Sequence, residues 1–262
     1  MTQIKSSFLI HCLTDLHAGQ GDSTDGPVDK MIQRDATSLL PAIFGSSLKG
    51  ALRDFAVFQN EPNVKTFYGS DKNDGSSTQG LVNFLDAQIL TFPLPSNKKQ
   101  WFYAISPEHA KLILEFCANF AFTLADDLKS DLTQIQSLIV GENIPKCVNF
   151  PGTTNLRIHD FDSFTNETKT LQWNQWKDNL VVLNHNDFKM VCDNYNLPII
   201  ARNNLQGTGN LWYEQFVPNQ TFFLGYFIDN SDKKFADSIK DKVIQIGANA
   251  TVGQGFCKFT II

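Results

Sequence analysis

The spacing of apolar residues predicts the first elements of the chain. Residues 5–13 are rich in β-forming residues between polar flanks, which predicts a strand. Residues 46–59 predict a helix, with Ser46 as its N-cap. Its apolar face, at helical spacing, is formed by Leu48, Leu52, Phe55 and Ala56. A strand therefore leads through a glycine-rich turn toward an amphipathic helix.

The middle of the chain combines short strands with one clear helix. Strands are predicted over 81–92 and 100–106, with a turn between them. A helix starts at Ser106-Pro107-Glu108, because proline is tolerated in a first turn, and it continues to about Phe120. Residues 121–195 show no clean period, which indicates insertions laid over a core.

The last third of the chain returns to regular patterns. Residues 199–217 predict a β-hairpin with its turn at 206–210. A strand over 221–228 and a helix over 232–244 follow, and a glycine-rich turn leads into a final strand at 256–262.

Without the insertions, the order is strand, helix, strand, and then strand, helix, strand. This is the split βαβ pattern of an α+β, ferredoxin-like (RRM-like) fold, whose open sheet commonly holds single-stranded RNA. The length of 262 residues and an apolar fraction of 42% support one domain over 1–262 with a core of its own. We expect insertions at about 107–195, a helical or lid region, and at 199–217, a hairpin.

Composition predicts where the protein is located and the state of its cysteines. No apolar run approaches the roughly 20 residues that span a bilayer, and the N-terminus has no signal-peptide pattern, which predicts a cytoplasmic protein without a membrane partner. The five cysteines lie far apart and form no C-x-x-C pair, so we expect reduced, mostly buried thiols.

The charge distribution favours a local groove over a generally basic surface. A net charge of −5 argues against attraction of nucleic acid to the whole surface. Only four of the 22 basic residues are arginines, and Arg34, Arg53 and Arg202 fall in segments that stand out on other grounds. Arginine suits phosphate because its planar fork matches two oxygens, although three such positions also arise by chance.

The stretch from His17 to Phe55 departs most from ordinary core-and-surface patterning. A glycine-rich turn is followed by Asp29 and a polar, basic run. Gly45-Ser46-Ser47 then opens the helix, and Lys49 and Arg53 lie near its start. Free amides, serines and a lysine at a helix N-terminus favour a phosphate, whereas the alternative is a capped helix with a solvated face.

Three segments carry longer motifs. They are HAGQG followed by VDKMIQRD and PAIFGSSLKGALRDF, GNLWYEQFVP at 209–218, and IGANATVGQGF at 246–256. Together they resemble the backbone subunit of type III-B (Cmr) CRISPR effector complexes, in the RAMP superfamily. The helix start GSSLKG and the glycine-rich turn are typical of the superfamily, and VDKMIQRD and LWYEQF point to the Cmr backbone subunit.

The resemblance implies a ferredoxin-like palm with an inserted β-hairpin thumb, and copies that stack along a guide crRNA. Each copy would cut the complementary target RNA at regular intervals, and the implied partners are guide crRNA, target RNA, further copies of the chain and other Cmr subunits. Asp29 matches the catalytic aspartate of the family. It would take the proton of the attacking 2′-hydroxyl or hold Mg²⁺ or another divalent cation. Without the resemblance, Asp29 is consistent with a simple turn aspartate.

The remaining candidates are proposed RNA contacts, and each has a structural alternative. They are His17, Gly45, Ser46, Ser47, Lys49, Arg53, Arg202, Trp212, Gly247, Asn249, Gly253 and Gly255. His17 is equally consistent with a hydrogen-bonded structural histidine, and Arg53 with an ion pair. Aromatic side chains of the hairpin, Trp212 and Tyr213, would wedge between nucleotides or, for Trp212, pack the hairpin onto the palm. The last four positions would cradle a phosphate or form a plain turn.

Two other functions stay open at this point. One is a filament subunit that binds RNA without cutting it. The other is a related RAMP endonuclease that processes precursor guide RNA, with His17 as the general base.

Overall fold

A computed structural model describes residues 3–22, 27–71, 75, 77–193, 196–204 and 210–262. The chain divides into two compact units, one formed by Met1–Ile89 with Leu197–Ile262 and the other by Leu90–Asn196. The expected insertion at 107–195 lies within the second unit. All residues that carry motifs lie in the first.

The chain combines strands and helices in an α+β arrangement. The strands are β1 (Ile4–Cys12), β2 (Gly19–Asp22), β3 (Lys30–Ile32), β4 (Ala42–Ile43), β5 (Val82–Phe84), β6 (Ala87–Pro95), β7 (Trp101–Ile105), β8 (Lys146–Val148), β9 (Thr165–Glu167), β10 (Leu180–Val182), β11 (Ile199–Asn204), β12 (Asn210–Gln215), β13 (Phe222–Asp229), β14 (Val243–Gln245) and β15 (Phe256–Ile261). The helices are α1 (Gly45–Phe58), α2 (Val64–Tyr68), α3 (Pro107–Phe120), α4 (Asp126–Gln136), α5 (His185–Val191) and α6 (Phe235–Ile239), with a 3₁₀ turn at Ala250–Val252.

The main sheet of the first unit is antiparallel and is centred on β1. Strand β1 lies between β13 and β15, β14 extends the sheet beyond β15, and β5 pairs with β13. Phenylalanines fill the core beside this sheet. The ring of Phe8 stacks on Phe259 with centroids 5.6 Å apart, and Phe235 meets Phe227 edge-on at 4.9 Å. This sheet supplies the rigid support from which the motif segments project.

A second, four-stranded sheet in the same unit has the order β11-β12-β3-β2. Strands β11 and β12 form an antiparallel hairpin, in which Arg202 is opposite Trp212. The hairpin then pairs in parallel with β3, where Glu214 is opposite Lys30. This pairing joins the LWYEQF motif to the segment that contains Asp29.

The second unit packs three helices with a mixed sheet. The end of β6 pairs with β7, β10 pairs with β7 and β8, and β9 pairs with β8. The helix predicted at Ser106-Pro107 is confirmed, and the Ser106 hydroxyl accepts a hydrogen bond from the His109 amide at 3.1 Å.

Most predicted elements agree with the structure to within a few residues, and one predicted cap and two predicted elements do not. Helix α1 begins at Gly45 after an extended Phe44 without a side-chain cap, so Ser46 is not the N-cap. The strand predicted over 81–92 is two strands, β5 and β6. The helix predicted over 232–244 is only α6, because Lys234 and Asp241 adopt positive φ and the following residues pair with β15 as β14.

The hairpin predicted over 199–217 is confirmed as β11 and β12, although most of its predicted turn lies outside the described residues. All five cysteines are buried free thiols, as expected. Across the described ranges, we find no helix long and apolar enough to cross a bilayer.

We predict that Gly225→Ala destabilises the protein by about 1–3 kcal/mol, the usual cost of overpacking a tight core. Gly225 is opposite Phe8 in the sheet, and a methyl group there would lie 2.5 Å from the Phe8 ring. Urea unfolding of the purified subunit measures the effect.

The matched control is Gly50→Ala on the exposed side of α1, where no atom from outside the helix lies within 4 Å. That change should raise the free energy of unfolding by about 0.5–1 kcal/mol, since alanine favours a helix more than glycine does. Equal effects of both changes would contradict the packing described.

Candidate functional site

A pocket of about 370 Å³ in the first unit brings distant motif residues together. It is lined by His17, Ala18, Gly19, Gly21, Lys30, Ser47, Gly247 and Ala248. Three of these, His17, Ser47 and Gly247, were predicted from separate motifs as RNA contacts. Lys30 provides the positive charge in this lining. Lys49, which was predicted as an RNA contact, is half-buried on α1 and does not line the pocket.

Gln33 organises one wall of the pocket and was missed by sequence reasoning. Its amide nitrogen donates to the Gly19 carbonyl at 3.0 Å and to the Ser47 hydroxyl at 2.7 Å, and its amide oxygen accepts from the Phe44 amide at 2.7 Å. Because the Ser47 oxygen accepts from Gln33, its own proton is directed elsewhere. Ser47 is thereby prepared to donate to an anion in the pocket.

His17 is buried, with 4% of its surface exposed, and it is held from two sides. Its Nδ1 lies 2.5 Å from the Gln215 carbonyl oxygen. A carbonyl only accepts, so we assign a proton to Nδ1, and Nε2 lies next to Gly19. The His17 carbonyl also accepts from the Ala248 amide at 2.9 Å. This geometry supports the structural alternative for His17, with its ring forming part of the pocket wall.

The positive end of the α1 helix dipole is partly neutralised by a carboxylate of the protein. The Gly45 amide donates to the Asp86 carboxylate at 2.7 Å, so this amide, expected to face a phosphate, already has an anionic partner. A side chain at Gly45 would lie 2.5 Å from the Phe84 carbonyl oxygen, which explains the glycine by close packing. Arg53 lies 3.9 Å from Asp71, a loose ion pair, and Ser46 is exposed.

Glu214 is the centre of a network that sequence reasoning also missed. Its carboxylate accepts hydrogen bonds from Trp212 Nε1 at 2.7 Å, Asn249 Nδ2 at 2.8 Å and Arg202 Nε at 3.0 Å. Lys30 Nζ lies 3.6 Å from the same carboxylate. Burial alone would raise the pKa of Glu214, but these donors and the Arg202 charge lower that pKa to about 2. Glu214 is therefore a fixed anion at every physiological pH.

This network changes the interpretation of three predicted RNA contacts. Arg202 and Asn249 also bond to the Gln254 side chain, at 3.0 and 2.9 Å. The ammonium group of Lys30 lies 5.3 Å from the centre of the Trp212 ring. Trp212 thus contacts Glu214 of its own strand and Lys30 of β3, and its role as an RNA contact stays a prediction. The polar groups around Glu214 join the hairpin to the glycine-rich loop.

Backbone conformation and close packing explain the glycines of the glycine-rich loop. Gly247 has φ +78°, and any side chain there would clash with the His17 carbonyl oxygen. Gly253 and Gly255 have φ near +80°, and their amides donate to the carbonyls of Ala250 and Asp15. These two amides have partners inside the protein, so a phosphate cradle built from them stays a prediction.

Asp29 is exposed immediately before β3, and its carboxylate is held in place. Its Oδ2 accepts a hydrogen bond from the Tyr213 backbone amide at 2.8 Å. One carboxylate oxygen is fixed by this contact, and the arrangement can present the other to a reacting hydroxyl. Within the described residues there is no group of three His, Cys, Asp or Glu side chains that would form a metal cage. Among the described residues, Asp29 offers one carboxylate to a divalent cation, which fits Mg²⁺ only where RNA and water complete its shell.

These features define a member of the RAMP superfamily, and the model of that family matches residues 9–258. The chain belongs to the RAMP superfamily. It is 26% identical over 282 residues to the Cmr endoribonuclease Cmr4 of Pyrococcus furiosus, covering 96% of this chain and 94% of the relative.

Two solved structures share the fold. A chain of a type III-B Cmr-beta complex bound to cognate target RNA matches with a TM-score of 0.80 and 21% identity, over 98% of this chain and 97% of that one. Oligomeric Cmr4 from Pyrococcus furiosus matches with a TM-score of 0.69 and 22% identity, over 98% of both chains. The predicted resemblance to the Cmr backbone subunit is confirmed.

We predict that Glu214→Gln reduces the acid sensitivity of the fold. The depressed pKa means that the unfolded chain binds this proton near pH 4.5 and the folded chain only near pH 2. The contribution of Glu214 is therefore fully present above about pH 4.5 and is lost as the pH falls toward 2. The variant should be less stable than the parent chain at pH 7, and the gap should narrow at pH 3. Urea unfolding at both pH values tests this, with the exposed Glu142→Gln as control. An equal difference in the free energy of unfolding at the two pH values would contradict the stabilisation of the Glu214 carboxylate by its partners.

Proposed function

We propose that this chain is a backbone subunit of a type III-B CRISPR effector complex, which binds guide crRNA and cuts the complementary target RNA at regular intervals. One observation carries the proposal: an exposed carboxylate, Asp29, is fixed by the Tyr213 amide and directly precedes Lys30, which lines a pocket built from two distant motif segments. The relative from Pyrococcus furiosus is named an endoribonuclease, in keeping with cleavage.

The guide strand occupies the pocket side of the site. Lys30 and the Ser47 hydroxyl provide a charge and a directed donor for a phosphate, and Lys49 and Arg53 continue along α1. Glu214 does not cancel this attraction, because Arg202 and Lys30 together place two positive charges around its one negative charge. A net charge of −5 is compatible with guide binding because the positive potential is needed only locally.

Asp29 acts on the target strand as the general base. Its carboxylate accepts the proton of a ribose 2′-hydroxyl, whose oxygen attacks the adjacent phosphorus while the bond to the 5′-oxygen breaks in line. The leaving oxygen takes a proton from water, and the products are a cyclic phosphate and a 5′-hydroxyl. The Tyr213 amide holds the Asp29 side chain in position. In the alternative role, Asp29 would hold Mg²⁺ or another divalent cation, which would neutralise charge on the phosphate.

The partners and fold details complete the proposal. The chain forms a ferredoxin-like palm, with β11 and β12 as the thumb, and further copies stack along the guide with other Cmr subunits in the cytoplasm. The structural neighbour from Pyrococcus furiosus is an oligomer of Cmr4, which supports self-association.

We predict that Asp29→Asn lowers target cleavage at least about 100-fold, the smaller end of the loss expected for a general base. Asparagine retains an oxygen for the Tyr213 amide but cannot take up the proton. Single-turnover cleavage of a complementary RNA by the reconstituted complex measures the rate, and a gel shift measures guide and target binding, which should not change.

The same assay separates the other functions. A wild-type complex that leaves a paired target whole in the presence of Mg²⁺ would support a filament subunit that does not cut. Metal-free cutting of a repeat hairpin by the single subunit, lost in His17→Ala, would support a guide-processing enzyme. Undiminished cleavage by the Asp29→Asn complex would refute the assignment of the base.

We predict that Lys49→Ala weakens guide binding about equally for all guide sequences and lowers its salt slope by about one, since one phosphate contact is lost. Guide affinity measured between low and moderate salt gives the slope. Lys177→Ala, an exposed lysine of the second unit, is the control and should leave the slope unchanged. An unaltered slope in Lys49→Ala would place the guide away from α1.

A further inference from the structure

The hairpin of β11 and β12 has two chemically different faces. The inner face carries Arg202, Trp212 and Glu214, which are tied into the network around the Glu214 carboxylate. The outer face alternates with it and is exposed at Ile199, Ala201, Asn203, Leu211 and Tyr213. These outer-face residues are uncharged, so this face suits the flat, apolar part of a ligand and not a phosphate.

Asp29 is adjacent to the outer-face residue Tyr213. Lys30, the first residue of β3, is in register with Glu214 and forms an ion pair with it on the inner side. Asp29 lies in a bend just before β3, and its carboxylate accepts the hydrogen bond from the Tyr213 amide at 2.8 Å. The Asp29 carboxylate therefore lies next to the residue whose ring belongs to the outer face.

The Tyr213 ring is left open by its neighbours. It is 41% exposed, and the residue opposite it on β11 is Ala201, whose methyl group covers little of an aromatic ring. A protein surface docked here would bury the Asp29 carboxylate, at a large cost unless it supplied a donor. An RNA strand supplies that donor itself, as the ribose 2′-hydroxyl next to the base.

We propose that Tyr213 stacks on the base of the target nucleotide whose 2′-hydroxyl attacks, and so positions that ribose over Asp29. This inference rests on the proposed function and adds to it a substrate-positioning residue. Stacking needs only the face of a base, so the contribution is similar for all four bases. The inner face fixes the hairpin, and the outer face holds the nucleotide.

The test uses a target that cannot react. The target carries 2-aminopurine at the attacking nucleotide and 2′-deoxyribose at every cleaved position, and it is bound to the complete complex. Stacking on Tyr213 quenches the fluorescence of 2-aminopurine. We expect Tyr213→Ala to raise the fluorescence at least about twofold, and Tyr213→Phe to leave it quenched.

A second readout uses a cleavable target. Tyr213→Ala should slow single-turnover cleavage about tenfold, the lower part of the range for one lost stacked base. Tyr213→Phe should stay within about twofold of the parent rate, because phenylalanine retains the ring. Phe58→Ala, which removes an exposed ring at the end of α1, is the control and should change neither signal.

Several outcomes would overturn the proposal. Unchanged fluorescence in Tyr213→Ala would exclude stacking, and a loss in Tyr213→Phe equal to that in Tyr213→Ala would assign the effect to the phenol hydroxyl. Failure of Tyr213→Ala to assemble would make this face a contact between copies of the chain. The fluorescence is read on uncut RNA, so it decides the role of Tyr213 even if Asp29→Asn complexes still cleave.

Discussion

The buried charge of Glu214 is the constraint on which the candidate site depends. A carboxylate with 6% of its side chain exposed is costly to bury unless charge and hydrogen bonds compensate it. Arg202, Trp212 and Asn249 provide that compensation from three separate positions, two on the hairpin and one on the glycine-rich loop. Since Asn249 is the donor from the loop, the loop cannot move away from the hairpin without removing a hydrogen bond from this buried charge. The network thus joins the hairpin to the glycine-rich loop.

The same network separates two chemical environments within one small sheet. Inner residues hold Lys30 near the pocket, where positive charge suits a guide phosphate. Asp29 instead meets the hairpin at Tyr213, whose side chain belongs to the uncharged outer face. The alternation of side chains along β12 separates the charged Glu214 from Tyr213.

The sequence was informative where signals are local. Strand β1 and helices α1 and α3 follow from residue spacing and from a proline at the helix start, and Asp29 follows from a motif that is continuous in the chain. Glu214 and Gln33 were not foreseen, because their partners are set by tertiary contacts; Asn249 is 35 residues from Glu214. The helix expected over 232–244 failed for a similar reason. Its apolar pattern was satisfied instead by pairing of β14 with β15, a contact that spacing along the chain does not reveal.

A single carboxylate also limits what the isolated chain can do. Asp29 can accept a proton, but in-line attack further requires that the 2′-oxygen, the phosphorus and the leaving oxygen be aligned. The described residues include no group of three His, Cys, Asp or Glu side chains that would impose this alignment through a metal. In the proposed function, the alignment therefore comes from the RNA, held by guide pairing on one side and by the hairpin on the other. On this proposal cleavage is a property of the assembled guide, target and subunit, and an unpaired RNA that meets Asp29 by chance is not cut.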